Sequence, residues 1–177
     1  TNTAVAHFTC WKEVFDGLLR SRSGDDFGGD DFRDDAPGGD NLRAFTRRDY
    51  LDHVDGIPRL AGIRAFLESR EIDLPEGEEG DRTPATVRGL GFLKNQCFDR
   101  WLAQNEVPTF DDTRALIDVL KANGVMIGIF SASRNANRVI ESAGLGGFFD
   151  AIVSGDDAEE QNLAAKPDPA MLVETAR

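Results

Sequence analysis

The run Val125–Phe130 (VMIGIF) holds no polar side chain and is followed at once by Ser131-Ala132-Ser133-Arg134-Asn135. A continuous apolar run of this kind is what a parallel strand covered on both faces requires. A parallel strand needs a crossover to its neighbour, commonly a helix. The surrounding sequence supplies the parts. Asp111–Asn123 reads as a helix stopped by Asn123-Gly124, the residue pair that ends helices in the left-handed conformation. Asn137–Ala143 reads as a helix closed by Gly144, Phe149–Ser154 as a second short strand, and a last helix begins near Ala170.

Before Pro108 the pattern is helical only. Ala4, Phe8, Trp11, Phe15 and Leu18 recur at spacings of four and three, which puts them on one helix face. Thr46–His53 predicts a short helix with Thr46 as N-cap and Asp49 at N3. Pro58 suits the entry to a helix over Arg59–Ser69 with Leu60, Ile63, Phe66 and Leu67 inward. A third long helix is expected from about Pro84 to Asn105, with Leu90, Leu93, Cys97, Phe98, Trp101 and Leu102 on its apolar face. Arg20–Asp40 is Gly- and Asp-rich, with seven Asp between Asp25 and Asp40, and predicts a solvated loop or a disordered insertion; a metal-binding reading lacks EF-hand spacing and a closing Glu. Leu74–Pro84 predicts an acidic loop. The expected division is an all-helical part over 4–105, interrupted by the acidic loop at 24–40, and a partial α/β part over 108–177.

With 32 acidic against 20 basic side chains the chain carries a net charge of −12. That surface repels nucleic acid and anionic membranes. Cys10 and Cys97 fall on apolar helical positions and are expected to be reduced core residues. No run of about eighteen apolar residues predicts a membrane span and no signal peptide opens the chain, so a cytoplasmic protein is expected. The chain starts at Thr1 without Met and stops at Arg177, two turns into its last helix, so it reads as part of a longer protein.

Ligands of open parallel sheets bind beyond the carboxyl ends of the strands. Ser131 stands there. Its hydroxyl and the N–H groups of the turn after it can cradle a phosphate oxygen, or the serine can merely cap the turn. Lys166 sits 35 residues later in the stiff sequence Lys166-Pro167-Asp168-Pro169. There its ammonium can be aimed at a phosphoryl group, or it is a surface lysine. Asp111, Asp112, Asp156 and Asp157 read as caps or loop carboxylates.

FSASRN followed by AKPDPAML resembles the second and third motifs of the haloacid dehalogenase superfamily. TNTAVAHFTCWKEVF resembles the segment that follows that superfamily's DxDG motif. DYLDHVDGIPRLAGIRAFL and GLGFLKNQCF resemble the cap of its β-phosphoglucomutase-like subgroup. The likeness covers nearly the whole chain apart from 24–40. It implies an α/β fold, a partial Rossmann-type core with an inserted all-helical cap. It also implies phosphoryl transfer on a small sugar phosphate through an aspartyl-phosphate intermediate, assisted by Mg²⁺, by a monomer. The outcome is that of a mutase or of a phosphatase. The nucleophilic Asp pair would precede Thr1 and the fourth motif would follow Arg177, so the chain alone would be inactive and its metal ligands would lie outside it. A non-catalytic phosphosugar-binding module is the alternative.

Residue by residue, Ser131 matches the phosphate-binding hydroxyl and Lys166 the lysine of the third motif. Ala132 contributes backbone N–H. Ser133, Arg134 and Asn135 match positions near the non-reacting phosphate, as does Arg59, whose guanidinium suits bidentate pairing. An arginine at a helix start is badly placed for the helix dipole, which favours a functional reason for Arg59. His7 and Lys94 match cap residues facing the substrate; a boundary histidine and a surface lysine are the plain alternatives. Thr3 matches a hinge.

Overall fold

The computed structural model describes residues 1–23 and 40–177. The acidic loop expected at 24–40 therefore lies, up to residue 39, outside the described residues. The chain divides into two compact units: Ala4–Asp55 with Arg59–Trp101, and Thr1–Thr3 with Gly56–Pro58 and Leu102–Arg177.

The first unit is helical. It contains α1 (Ala4–Ser23), a 3₁₀ turn (Asp40–Leu42), α2 (Arg47–His53), α3 (Arg59–Ser69) and most of α4 (Val87–Gln104). α1 runs past Arg20, where the loop was expected to begin. Leu18 and Leu19 are buried on it, and the hydroxyls of Ser21 and Ser23 donate back to the Leu18 and Arg20 carbonyls, satisfying groups of the last turn. The core is aromatic: Phe15 lies 4.0 Å from Phe66 and 5.1 Å from Phe45, ring centre to ring centre, with Trp11, Leu19, Ile63 and Leu90 around them. Each such phenylalanine contributes about 2–3 kcal/mol by leaving water.

The N-cap expected for α2 is present as a reciprocal box. Asp49 N–H donates to Thr46 Oγ1 (3.3 Å), and Thr46 N–H donates to the Asp49 carboxylate (2.8 Å). The same carboxylate accepts from Arg43 and from Arg70, which is only 3% exposed. Burial alone would raise the Asp49 pKa, but the bonds from Arg43, Thr46 and Arg70 hold it far below the usual carboxylate range.

The two cysteines are not the reduced pair that the sequence led us to expect. Cys10 on α1 and Cys97 on α4 form a disulfide, with Cα atoms 5.5 Å apart. Both sit on apolar helix faces, as expected, but those faces meet. At that Cα separation a bridge fits, and a sequence separation of 87 hides the meeting from local pattern reading.

The second unit carries α5 (Asp111–Ala122), β1 (Gly128–Phe130), α6 (Ala136–Ser142), β2 (Ala151–Val153), α7 (Gly155–Glu160) and α8 (Ala170–Thr175). β1 and β2 pair in parallel, Ile129 opposite Ile152. Ile117, Ile140 and Leu145 form a small core with Ile127, Ile129, Phe148 and Ile152. The expected two-sided burial of Val125–Phe130 is only partly met. The strand is three residues long, Val125 is 44% exposed and Met126 is 81% exposed. Among the described residues only β2 pairs with β1 and α8 packs on the strands, so the run is not enclosed. α7 was not foreseen as a helix. Ser154 caps it and Asp157 at N3 closes a second reciprocal box, so Asp157 is the capping carboxylate the sequence suggested. Among the described residues no helix is long and apolar enough to cross a membrane.

Candidate functional site

Apart from Thr3, the residues singled out by sequence fall into one group in each unit. In the α/β unit Ser131 directly follows β1, and its N–H extends the ladder by donating to Val153 O (2.9 Å). Two serine turns in series then coil the chain into α6. Ser133 N–H donates to Ser131 Oγ (3.2 Å) and Asn135 N–H donates to Ser133 Oγ (3.2 Å). The Ser131 hydroxyl thus accepts one bond, and among the described residues nothing accepts its proton. The N–H groups of Ala132 and Arg134 likewise have no acceptor there. These are donors of the kind that hold an anion at a strand tip.

A side chain at Gly155 would not fit beside this turn. A Cβ there would stand 2.5 Å from Ala132 O, and Gly155 N–H donates to Ser133 O (3.0 Å). Glycine lets the start of α7 support the strand-tip loop from behind. Arg134 is exposed and pairs with the carboxylates of Asp156 and Glu159, so its guanidinium is engaged within this unit. Asn135 is buried and its Oδ1 accepts from Arg138 (3.3 Å). The Lys166 ammonium lies 5.7 Å from the centre of the Phe130 ring, the residue just before Ser131. Lys166 is exposed, and its peptide bond to Pro167 is cis. Asp111 and Asp112 lie in the first turn of α5 and serve its dipole. Thr3 is the last residue before α1.

In the helical unit His7, Lys94 and Arg59 come together. Lys94 Nζ lies 3.0 Å from His7 Nδ1, and an ammonium has only donors, so Nδ1 accepts. The His7 ring stacks on Phe98 at 4.5 Å, and the Lys94 ammonium stands 4.7 Å from the Phe98 ring and 5.4 Å from that of Trp11. Lys94 is 5% exposed, so it is no surface lysine. Burial, then the charge of Arg59, brings its pKa down to about 7, with Asp99 opposing. Burial, then Lys94 and Arg59, brings His7 down to about 3, so the imidazole is neutral at pH 7.

Arg59 at the start of α3 reaches across α4. Nη1 donates to Gly91 O (3.3 Å) and Nη2 to Asn95 Oδ1 (3.0 Å); the Asn95 amide in turn donates to Asp99 (3.1 Å). The crossing depends on glycine. A Cβ at Gly91 would come within 2.9 Å of Leu60 Cδ2, and one at Gly89 would overlap Thr83 O. Asn95 and Asp99 were not foreseen; their spacing of four on one helix face, beside Lys94, was the available signal.

Mg²⁺, which the motif likeness implies, finds no cluster of ligands among the described residues. Among the described residues no three His, Cys, Asp or Glu side chains gather to hold a metal ion.

The family model described as haloacid dehalogenase-like hydrolase matches residues 7–177. Two β-phosphoglucomutases, from Mycobacterium bovis and Mycobacterium tuberculosis, are each 33% identical over 177 residues, covering 99% of this chain and 63% of their own. The chain thus spans less than two thirds of the length of these curated relatives. In structure it is similar to β-phosphoglucomutase from Clostridium difficile, with a TM-score of 0.66 at 20% identity, over 99% of this chain and 64% of that one. It is also similar to a CbbY variant from Rhodobacter sphaeroides crystallised with xylulose-(1,5)bisphosphate, with a TM-score of 0.63 at 18% identity, over 100% and 66%. The fold is therefore that of these proteins, a partial Rossmann-like α/β core with a helical cap. The chain belongs to the haloacid dehalogenase-like hydrolase family and, within it, is similar to the β-phosphoglucomutases.

Proposed function

We propose that the whole protein transfers phosphoryl groups on a small sugar phosphate and that this chain supplies its anion-binding groups. The observation that carries the reading is the strand tip: a hydroxyl and two N–H groups without acceptors among the described residues, with an ammonium over the neighbouring ring. Ser131 and the N–H groups of Ala132 and Arg134 donate to the oxygens of the transferring phosphoryl group. Lys166 neutralises charge that builds up there, which is commonly the largest electrostatic contribution in such reactions. In the helical unit Arg59, Lys94 and neutral His7 form a separate group whose chemistry suits sugar hydroxyls and a phosphate. Ser133 and Asn135 shape the turn, and Arg134 reaches a ligand only by releasing Asp156 and Glu159. Thr3 is the hinge. The domains are then a cap over 4–105 and a core over 108–177.

The aspartyl-phosphate chemistry belongs to the whole protein. Mg²⁺ would be held by groups beyond the described residues, and no step above runs through it. The choice between mutase and phosphatase turns on how well the second phosphate is gripped and water excluded. The resting cation cluster around Arg59 favours the mutase. The product of the complete gene, assayed on a panel of hexose and pentose phosphates with Mg²⁺, should turn over at least one of them. No turnover across the panel, with binding retained, would leave a phosphosugar-binding module instead.

A further inference from the structure

Among the side-chain pairs that join α1 to α4, three share one sequence offset: His7 with Lys94, Cys10 with Cys97, and Glu13 with Arg100, each 87 residues apart. On each helix the members are three residues apart, so they stack on one face a turn at a time. The disulfide is the middle rung. Above it stand His7 and Lys94. Below it Glu13 pairs with Arg100 and also lies 3.4 Å from Cys97 Sγ.

We propose that Cys10 and Cys97 form a reversible redox site whose bridge fixes the seating of α1 on α4 and, through it, the His7–Lys94 pair one turn away. Reduction removes the covalent tie at this rung and leaves the two helices free to part there. The neighbouring rung depends on their closeness. Lys94 is held between His7 of α1 and the Phe98 and Trp11 rings, with Arg59 of α3 and Asp99 of α4 as the charged groups facing it. Parting the helices admits water to the ammonium.

The chemistry balances with a peroxide as oxidant. One thiolate takes an oxygen from hydrogen peroxide to give a sulfenic acid and hydroxide. The second thiol displaces water as the S–S bond forms, and a dithiol reverses the step. Cys10 is fully buried and Cys97 is 5% exposed, so both reactions proceed through local opening of the helix pair. A consequence for sugar-phosphate turnover rests on the proposed function; the coupling of the two rungs does not.

The test is an NMR titration of the Lys94 side chain, simple in a chain with four lysines, with Lys94→Arg to assign the signal. It compares protein treated with one equivalent of hydrogen peroxide and protein kept in dithiothreitol. Thiols are counted after denaturation. The peroxide-treated protein should show no free thiol and a Lys94 midpoint near 7. The reduced protein should show both thiols and a midpoint about one unit or more higher, as rehydration of the ammonium requires. Cys10→Ser/Cys97→Ser should titrate like the reduced protein and ignore both reagents; if it does not fold, the reduced wild type carries the comparison. Thiols that stay free after peroxide overturn the site. A midpoint that is the same in both states overturns the coupling. A shift in a complete gene product that turns over no sugar phosphate would instead count against the proposed function alone.

Discussion

Replacing Lys94 by Met should make the protein more stable and less able to bind its substrate. Lys94 is 5% exposed and its pKa falls from 10.5 to about 7. A lysine whose folded pKa is depressed binds fewer protons folded than unfolded between those two values, so its cost to stability is full below pH 7 and fades as pH rises toward 10.5. The drop corresponds to about 5 kcal/mol at the acid end. Met fills nearly the same volume but leaves His7 Nδ1 without its donor, at about 1–2 kcal/mol. The net expectation is a gain of about 3 kcal/mol at pH 6 that shrinks to near zero by about pH 9.5. Urea melts of both proteins at pH 6, 8 and 9.5 measure it as shifts in midpoint with an unchanged slope. A variant less stable than wild type at pH 6, or a gain that does not vary with pH, would refute the reasoning. Retention of so costly a charge is what a binding role would explain.

Arg59→Ala should weaken a sugar bisphosphate by about tenfold or more in KM while leaving a simple aryl phosphate nearly unchanged, in steady-state assays of the complete gene product; equal losses would remove Arg59 from the distal phosphate. Asp49→Asn should cost about 3 kcal/mol or more in a urea melt at neutral pH, because Arg70 stays buried without its carboxylate. That stabilisation holds above the unfolded carboxyl's pKa and is lost only in strong acid, since the folded value is depressed. Gly155→Ala should push Ala132 O away and lower affinity for phosphate at the strand tip with little loss of helicity, read by titration and circular dichroism.

The helices were legible because their faces repeat locally and their ends carry chemical marks. Thr46 and Asp49 announce α2, Pro58 the entry to α3, and Asn123-Gly124 the end of α5, where Gly124 takes a φ of 70°. The strand tip was legible for the same reason, since a small hydroxyl after an apolar run is a local signal. What failed was whatever depends on contact between distant segments. The burial of Lys94 is set by Trp11 and His7 on another helix, and the disulfide by two faces 87 residues apart. The exposure of Met126 depends on how many strands flank β1, which its own sequence does not state. α7 was missed although Ser154 and Asp157 carry a capping pattern, because five polar or small residues after them show no apolar face.

The central claim is that Ser131 and Lys166 hold one tetrahedral anion. The direct measurement is an NMR titration of orthophosphate into the protein, following the Ser131 amide and the Lys166 ε-carbon in the same spectra. The account predicts that both signals move with a single dissociation constant and that Ser131→Ala weakens the response at Lys166. Separate dissociation constants, or a Lys166 signal that stays still while Ser131 saturates, would contradict it.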